Sequence, residues 1–173
     1  MRFHTKTCLL ILLSGFACLT TNAKAQDYPP RKPGLWEISM TMASGKSPGG
    51  GTKMCIDAAS DAALYKMGME TMGSICSRRD FSRSGYTVTT DSVCTIGRSQ
   101  VTSHTVIVFA GDVAYHTESN AHFDPPMMAG QADSATRQDA KWVGPCPADM
   151  QPGDLVMTNG MKMNMLGPQK GGK

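Results

Sequence analysis

From Leu35 to Val143 the chain repeats one pattern: apolar and polar residues alternate with a period of two, and the runs are punctuated by glycine and proline. Such runs bury one face each only when they lie side by side as strands. In the first, Trp36, Ile38, Met40 and Met42 fall on one face and Glu37, Ser39 and Thr41 on the other. Ser44 to Gly51 reads as a turn, and Thr52 to Asp57 as a second short strand holding Cys55. Tyr86 to Ile96 puts Tyr86, Val88, Thr90, Ser92, Cys94 and Ile96 on one face. Gly97-Arg98-Ser99 turns the chain into Gln100 to Ala110, the strongest strand. Gly111-Asp112 is a tight hairpin signal, and Val113 to Phe123 returns until Asp124-Pro125-Pro126 ends it. Met127 to Asp133 is a connection, Ser134 to Val143 the last main strand, and Gly144-Pro145-Cys146-Pro147 closes the domain. One segment breaks the pattern. Ala58 to Gly73 is rich in helix formers, with Asp57 or Ser60 placed to cap it. Arg78 to Ser84 is polar, with Phe81 its one apolar anchor. The predicted fold is mainly β: an antiparallel meander of six or seven strands, forming a curved sheet or incomplete barrel, with one short helix and two disulfides.

The start of the chain has a different character. Arg2 and Lys6 precede an apolar run, Cys8 to Leu19, and Ala23-Lys24-Ala25 offers the small residues that a signal peptidase reads. Residues 1–25 are expected to be a signal peptide cut after Ala25. A lipid anchor on Cys18 is disfavoured by Phe16 within Gly15-Phe16-Ala17. Of the seventeen basic residues, Arg2, Lys6 and Lys24 belong to this leader, so fourteen remain against fourteen acids. That balance gives no electrostatic case for nucleic acid, and no later apolar stretch is long enough to span a bilayer.

Four cysteines follow the leader: Cys55, Cys76, Cys94 and Cys146. An even number in an exported domain reads as two disulfides with three possible pairings. The expected set is Cys55–Cys76, stapling the helix to the strand before it, and Cys94–Cys146, tying the closing segment to a central strand. Residues 26–32 read as a flexible polar leader, 33–154 as the β domain, and 155–173 as a tail rich in Met, Gly and Lys. An extra strand is expected near Leu155 to Met157, with disorder after Leu166.

Lys32-Pro33-Gly34-Leu35-Trp36-Glu37-Ile38 opens the first strand, a cysteine follows about twenty residues later, another lies in a central strand, and Gly144-Pro145-Cys146-Pro147 closes the domain. In this combination the chain resembles the exported bacterial family known as domain of unknown function 3617, over Pro33 to Asp154. Cys146 to Asp154 looks like one subgroup's ending. The resemblance implies a methionine-rich β domain in the Gram-negative envelope, hence the periplasm. It brings no activity and no catalytic residues.

No other motif reaches a reaction. Ser44-Gly45-Lys46-Ser47 imitates the end of a phosphate loop, but Met40 stands where the pattern needs glycine, and strands flank it. The spacing of the cysteines suits neither zinc nor redox work. There is no Gly-x-Ser-x-Gly or His-Glu-x-x-His, Asp149 and Asp154 read as turn formers, and Trp36 reads as a core anchor. Thirteen methionines follow Met1. Thioethers suit Cu(I), but methionine also fills irregular cores. If copper binds, Met161, Met163 and Met165 are the candidate ligands, since a tail can wrap an ion. His104 and His116 fall on non-facing positions of their hairpin, which disfavours a histidine site there. The leading expectation is a monomeric, non-enzymatic envelope domain without a cofactor that binds a small apolar ligand, a peptide or an envelope partner. A copper-binding or metal-buffering protein, or an enzyme of unrecognised type, stands behind it.

Overall fold

The computed structural model describes residues 28–42, 51–127 and 130–167. The predicted signal peptide, the Ser44–Ser47 segment and the last residues of the tail, 168–173, lie outside the described residues.

Alternation becomes strands wherever it was strongest. The strands are β1 (Gly34–Met42), β2 (Thr52–Ile56), β3 (Cys76–Ser84), β4 (Thr87–Ile96), β5 (Ser99–Ala110), β6 (Ala114–Asp124), β7 (Asp133–Gly144), β8 (Asp154–Val156) and β9 (Lys162–Asn164), with one helix, α1 (Ala58–Ile75), between β2 and β3. They form one open sheet in the order β3-β4-β5-β6-β7-β1-β2-β8-β9, antiparallel at every pairing. The predicted meander is therefore correct in kind and short in number. β3 was missed because it is an edge strand, and its charged, exposed side chains are what an unpaired edge needs to resist further pairing. β8 falls at the predicted extra strand, and β9 extends the sheet beyond the boundary expected at residue 154.

Register sorts the residues into two faces. Val88, Thr90, Ser92 and Cys94 of β4 are buried, with exposed or half-buried residues between them. Following the pairing outwards, the same inner face carries Val101 to Phe109 at odd numbers and Tyr115 to Phe123 at odd numbers. It continues through Ser134 to Trp142 at even numbers, then Trp36, Ile38, Met40 and Met42. Trp36 is 1% exposed and packs with Ile56 and Ala140, joined by Leu64 of the helix. Burying an indole of this size contributes roughly 2–3 kcal/mol by area.

The helix starts where the sequence indicated. Asp57 caps it, accepting a hydrogen bond from the Ser60 amide, while the Ser60 hydroxyl accepts from the Asp57 amide. The Ser60 amide, and after it the Ser60 hydroxyl, hold the Asp57 carboxyl below its usual value.

The disulfides pair differently from the expectation. They are Cys55–Cys146 and Cys76–Cys94. The reason is the helix itself: at ~1.5 Å per residue it separates Cys55 from Cys76 by more than 20 Å, far beyond disulfide reach. Cys76 instead begins β3 directly opposite Cys94. Leu35 pairs with both Cys55 and Gly144, which brings Cys146 to Cys55 with 5.5 Å between Cα atoms.

The two signature segments meet at that seam. Gly34 has φ +134°, and a Cβ there would stand 2.3 Å from the Gly144 carbonyl and 2.4 Å from Trp142 Nε1. The Trp142 indole donates to the Pro33 carbonyl, the Trp36 indole donates to the Lys32 carbonyl, and the Lys32 ammonium sits 3.9 Å over the Trp142 ring. The Pro-Gly-Leu-Trp-Glu opening and the Gly-Pro-Cys ending are thus two halves of one clasp. They close the fold.

Candidate functional site

Residues 28–32, expected to be a loose leader, are docked. Their anchor is Asp61, a buried carboxylate in the first turn of α1. It accepts from the Arg31 backbone amide at 3.1 Å and from Arg31 Nε at 2.8 Å, with Nη2 at 2.7 Å. The helix N-terminus favours a carboxylate in that position, and a charged pair held by several hydrogen bonds tolerates partial burial. The Lys32 amide donates to the Asp112 carbonyl, tying the segment to the β5–β6 hairpin. The arm therefore lies against both helix and sheet.

Tyr28 is brought in by this anchoring. Its ring meets Tyr65 of α1 at 5.2 Å between centroids, and Phe81 and Phe109 at 6.3 Å each, all edge-on. Phe109 meets Tyr115 at 5.7 Å, and Tyr115 meets Trp36 at 5.9 Å. Six aromatic rings thus form one continuous cluster, in a chain whose aromatic content is only 6%. Between arm, helix and sheet lies a cavity of about 350 Å³, lined by Tyr28, Leu64, Tyr65, Ile107, Phe109 and Tyr115, with Arg31, Asp61, Thr117 and Gln138 at its polar positions. Gln138 donates to the Tyr115 hydroxyl at 3.1 Å. The volume and the mix of apolar wall with few polar groups are those of a small-ligand pocket.

Sequence reasoning missed this site because its first wall is Tyr28, in a stretch read as a polar leader. One signal was present: with aromatics so scarce, a tyrosine directly before Pro29-Pro30 is costly to leave in water.

The residues singled out beforehand lie elsewhere. Met161, Met163 and Met165 occupy β9 and its flanks, all exposed. Only Met163 lies within β9, the last strand of the sheet, with Met161 and Met165 just outside its two ends. His104, His116 and His122 stand on the outer face, each hydrogen-bonded to a carboxylate: Asp91, Asp139 and Asp133, at 2.8, 2.7 and 2.8 Å. Among the described residues no three or more His, Cys, Asp or Glu side chains are grouped to hold a metal ion. Trp36 is the core anchor expected of it. Asp154 is indeed a turn former: it accepts from the Gln151 amide, and this bond, ahead of Asn164 and Lys162, lowers its pKa. The Asp149 carbonyl accepts from Lys162 Nζ in the same turn.

What the fold and cavity define is an open β-sheet domain with an aromatic pocket closed over by a helix and an N-terminal arm. The chain belongs to the family described as protein of unknown function (DUF3617), whose family model matches residues 31–146. Comparison with curated proteins gives no match, and neither does comparison with solved structures. No helix among the described residues is long and apolar enough to cross a membrane.

Proposed function

We propose that this domain is a non-enzymatic binding module that takes a small, largely apolar ligand into the cavity between the arm, α1 and the inner face of the sheet. The observation that carries this reading is the aromatic lining, assembled from four separate parts of the chain around a volume of ligand size. A chain that needed only a core would pack these rings against each other without leaving that space. Two disulfides support an oxidising, exported setting such as the periplasm. The domain acts in this reading as a carrier or sensor of its ligand and works as a monomer.

The test is a titration with N-phenyl-1-naphthylamine, an uncharged apolar fluorophore. Saturable fluorescence enhancement is expected, with an affinity on the order of micromolar. Ile107→Trp, which fills the cavity from β5, should abolish saturation while the melting transition is kept. Replacing Met161, Met163 and Met165 together by Leu should leave it unchanged. Equal binding by the Ile107→Trp variant, or no binding by the native protein, overturns the proposal.

A further inference from the structure

Beyond the aromatic cavity the inner face changes chemistry. Val88, Ile107, Thr117 and Gln138 form one cross-strand row, and the next is Thr90, Thr105, Ser119 and Thr136. Ser92 and Ser103 stand in the row after that. The inner face of β4 to β7 is therefore apolar at the cavity, hydroxyl-bearing through its middle, and free of Asp, Glu, Lys, Arg and His along its whole length. Every charged side chain and histidine of these four strands alternates to the outer face. The charges nearest the cavity cancel each other as the Arg31–Asp61 pair; on the flanking edge strand Arg79 and Arg83 stand opposite Ser92 and Val88, Arg79 donating to the Met69 carbonyl of the helix and Arg83 to the Gly85 carbonyl.

Four of the hydroxyls pair among themselves. Ser92 and Ser103 hydrogen-bond at 2.8 Å, as do Thr105 and Ser119. Thr90 Oγ1 is buried and has no partner, in a residue only 7% exposed. A buried hydroxyl without a partner is a standing cost that most folds avoid. It lies in the same row as the Thr105–Ser119 pair, so the hydroxyl band ends at β4 in a buried hydroxyl without a partner.

We infer that the ligand is an uncharged amphiphile: an apolar body in the aromatic cavity, with a hydroxyl-bearing neutral segment that lies along the band and reaches Thr90. The inference rests on the cavity being the binding site proposed above. Across β4 to β7 a charged group would enter a face with no opposite charge to meet it, and the arginines of the β3 edge already donate to main-chain carbonyls, which disfavours fatty acids and alkylamines alike. A purely hydrocarbon ligand would leave the band and Thr90 unused. Hydroxyls both donate and accept, so positions ~4.8 Å apart along a row suit a segment with repeated hydroxyl groups.

The experiment displaces the bound fluorophore with four eight-carbon probes: octyl β-glucoside, 1-octanol, octanoate and octylamine, each below its aggregation threshold. Octyl β-glucoside should bind tightest, about tenfold tighter than either charged probe. Thr90→Val should weaken it about five- to tenfold, the worth of one hydrogen bond. The same change should leave 1-octanol unaffected and the melting temperature undiminished, because no native bond is lost. The double variant Thr105→Val, Ser119→Ala, which removes both partners and orphans neither, should act in the same direction. Octanoate or octylamine binding as tightly as the glucoside overturns the inference while the cavity proposal stands. So does a Thr90→Val variant that weakens glucoside and octanol equally, or neither. Failure of the fluorophore and of all four probes overturns both.

Discussion

The inner and outer faces of the sheet are made by the same strands from alternate residues, and their chemistries are opposite. The outer face pairs His104 with Asp91, His116 with Asp139, His122 with Asp133 and Arg137 with Glu118, always across neighbouring strands. These pairs are exposed, and each contributes little to stability. The inner face of β4 to β7 has Tyr115 as its one titratable group and gathers the aromatic rings and the hydroxyl band. A single step along the chain therefore moves a residue from a screened, charged surface to an uncharged enclosure. A slip of one residue would exchange the two, which is why register has to be fixed firmly.

The largest effects should come from the staples that fix it, one closing a long loop and one a short loop. Cys55–Cys146 spans 91 residues and Cys76–Cys94 spans 18. By chain entropy, replacing the first pair with Ser should cost about 4–5 kcal/mol and the second about 3 kcal/mol. Urea unfolding of the two double variants checks the order; a larger loss from the Cys76–Cys94 pair would mean that the inner edge, not the clasp, holds the register.

Neighbouring residues give a sharper contrast. Ser103 faces inwards and Thr102 outwards. Ser103→Asp should destabilise by roughly 2–3 kcal/mol, since it places a carboxylate on the inner face and disturbs the bond to Ser92. Thr102→Asp should stay within about 0.5 kcal/mol. Equal losses in denaturant midpoint would show that the two faces are not the distinct environments their composition describes.

The smallest effect concerns pH. The hydrogen bond from Asp139 raises the pKa of His116, with burial opposing and Glu118 adding to the rise. A raised folded value means that protonated His116 stabilises the fold below the unfolded value of about 6.5, and that this help fades as pH rises through the folded value. Asp57 and Asp154 are lowered, so their contributions are lost only on acidification and do not change between pH 5 and 8. Because His116 is about a third exposed, screening limits the effect. The melting temperature should fall by about 1–2 °C from pH 5 to pH 8, and Asp139→Asn should flatten the slope.

Strands β4 to β7 were legible because Val88, Thr90, Ser92 and Cys94, and their partners, obey a period of two with turn residues at each end. The helix was legible through Asp57 and its alanines. β3 was not, because an edge strand of Arg78, Arg79, Asp80 and Arg83 has the composition of a connection. The cysteine pairing was assigned by closeness along the chain, although the length of the helix between Cys55 and Cys76 already argued against it. The cavity needed knowledge of which distant segments meet. Tyr28, Tyr65 and Phe109 share no local pattern, and only the Arg31–Asp61 contact and the β5 register bring them together.

The clasp between Gly34 and Gly144 also sets an order of events. The first strand of this chain has its long-range partner in β7, about a hundred residues later. As the chain emerges from its N-terminus, β1 can pair with β2 and Arg31 can meet Asp61 early, but the other edge of β1 has no partner until residues 133–146 arrive. The seam between β1 and β7 is thus among the last parts of the fold to close, so a chain clipped just before Cys146 keeps every cavity-lining residue but lacks the Cys55–Cys146 link that holds the two ends of the domain together.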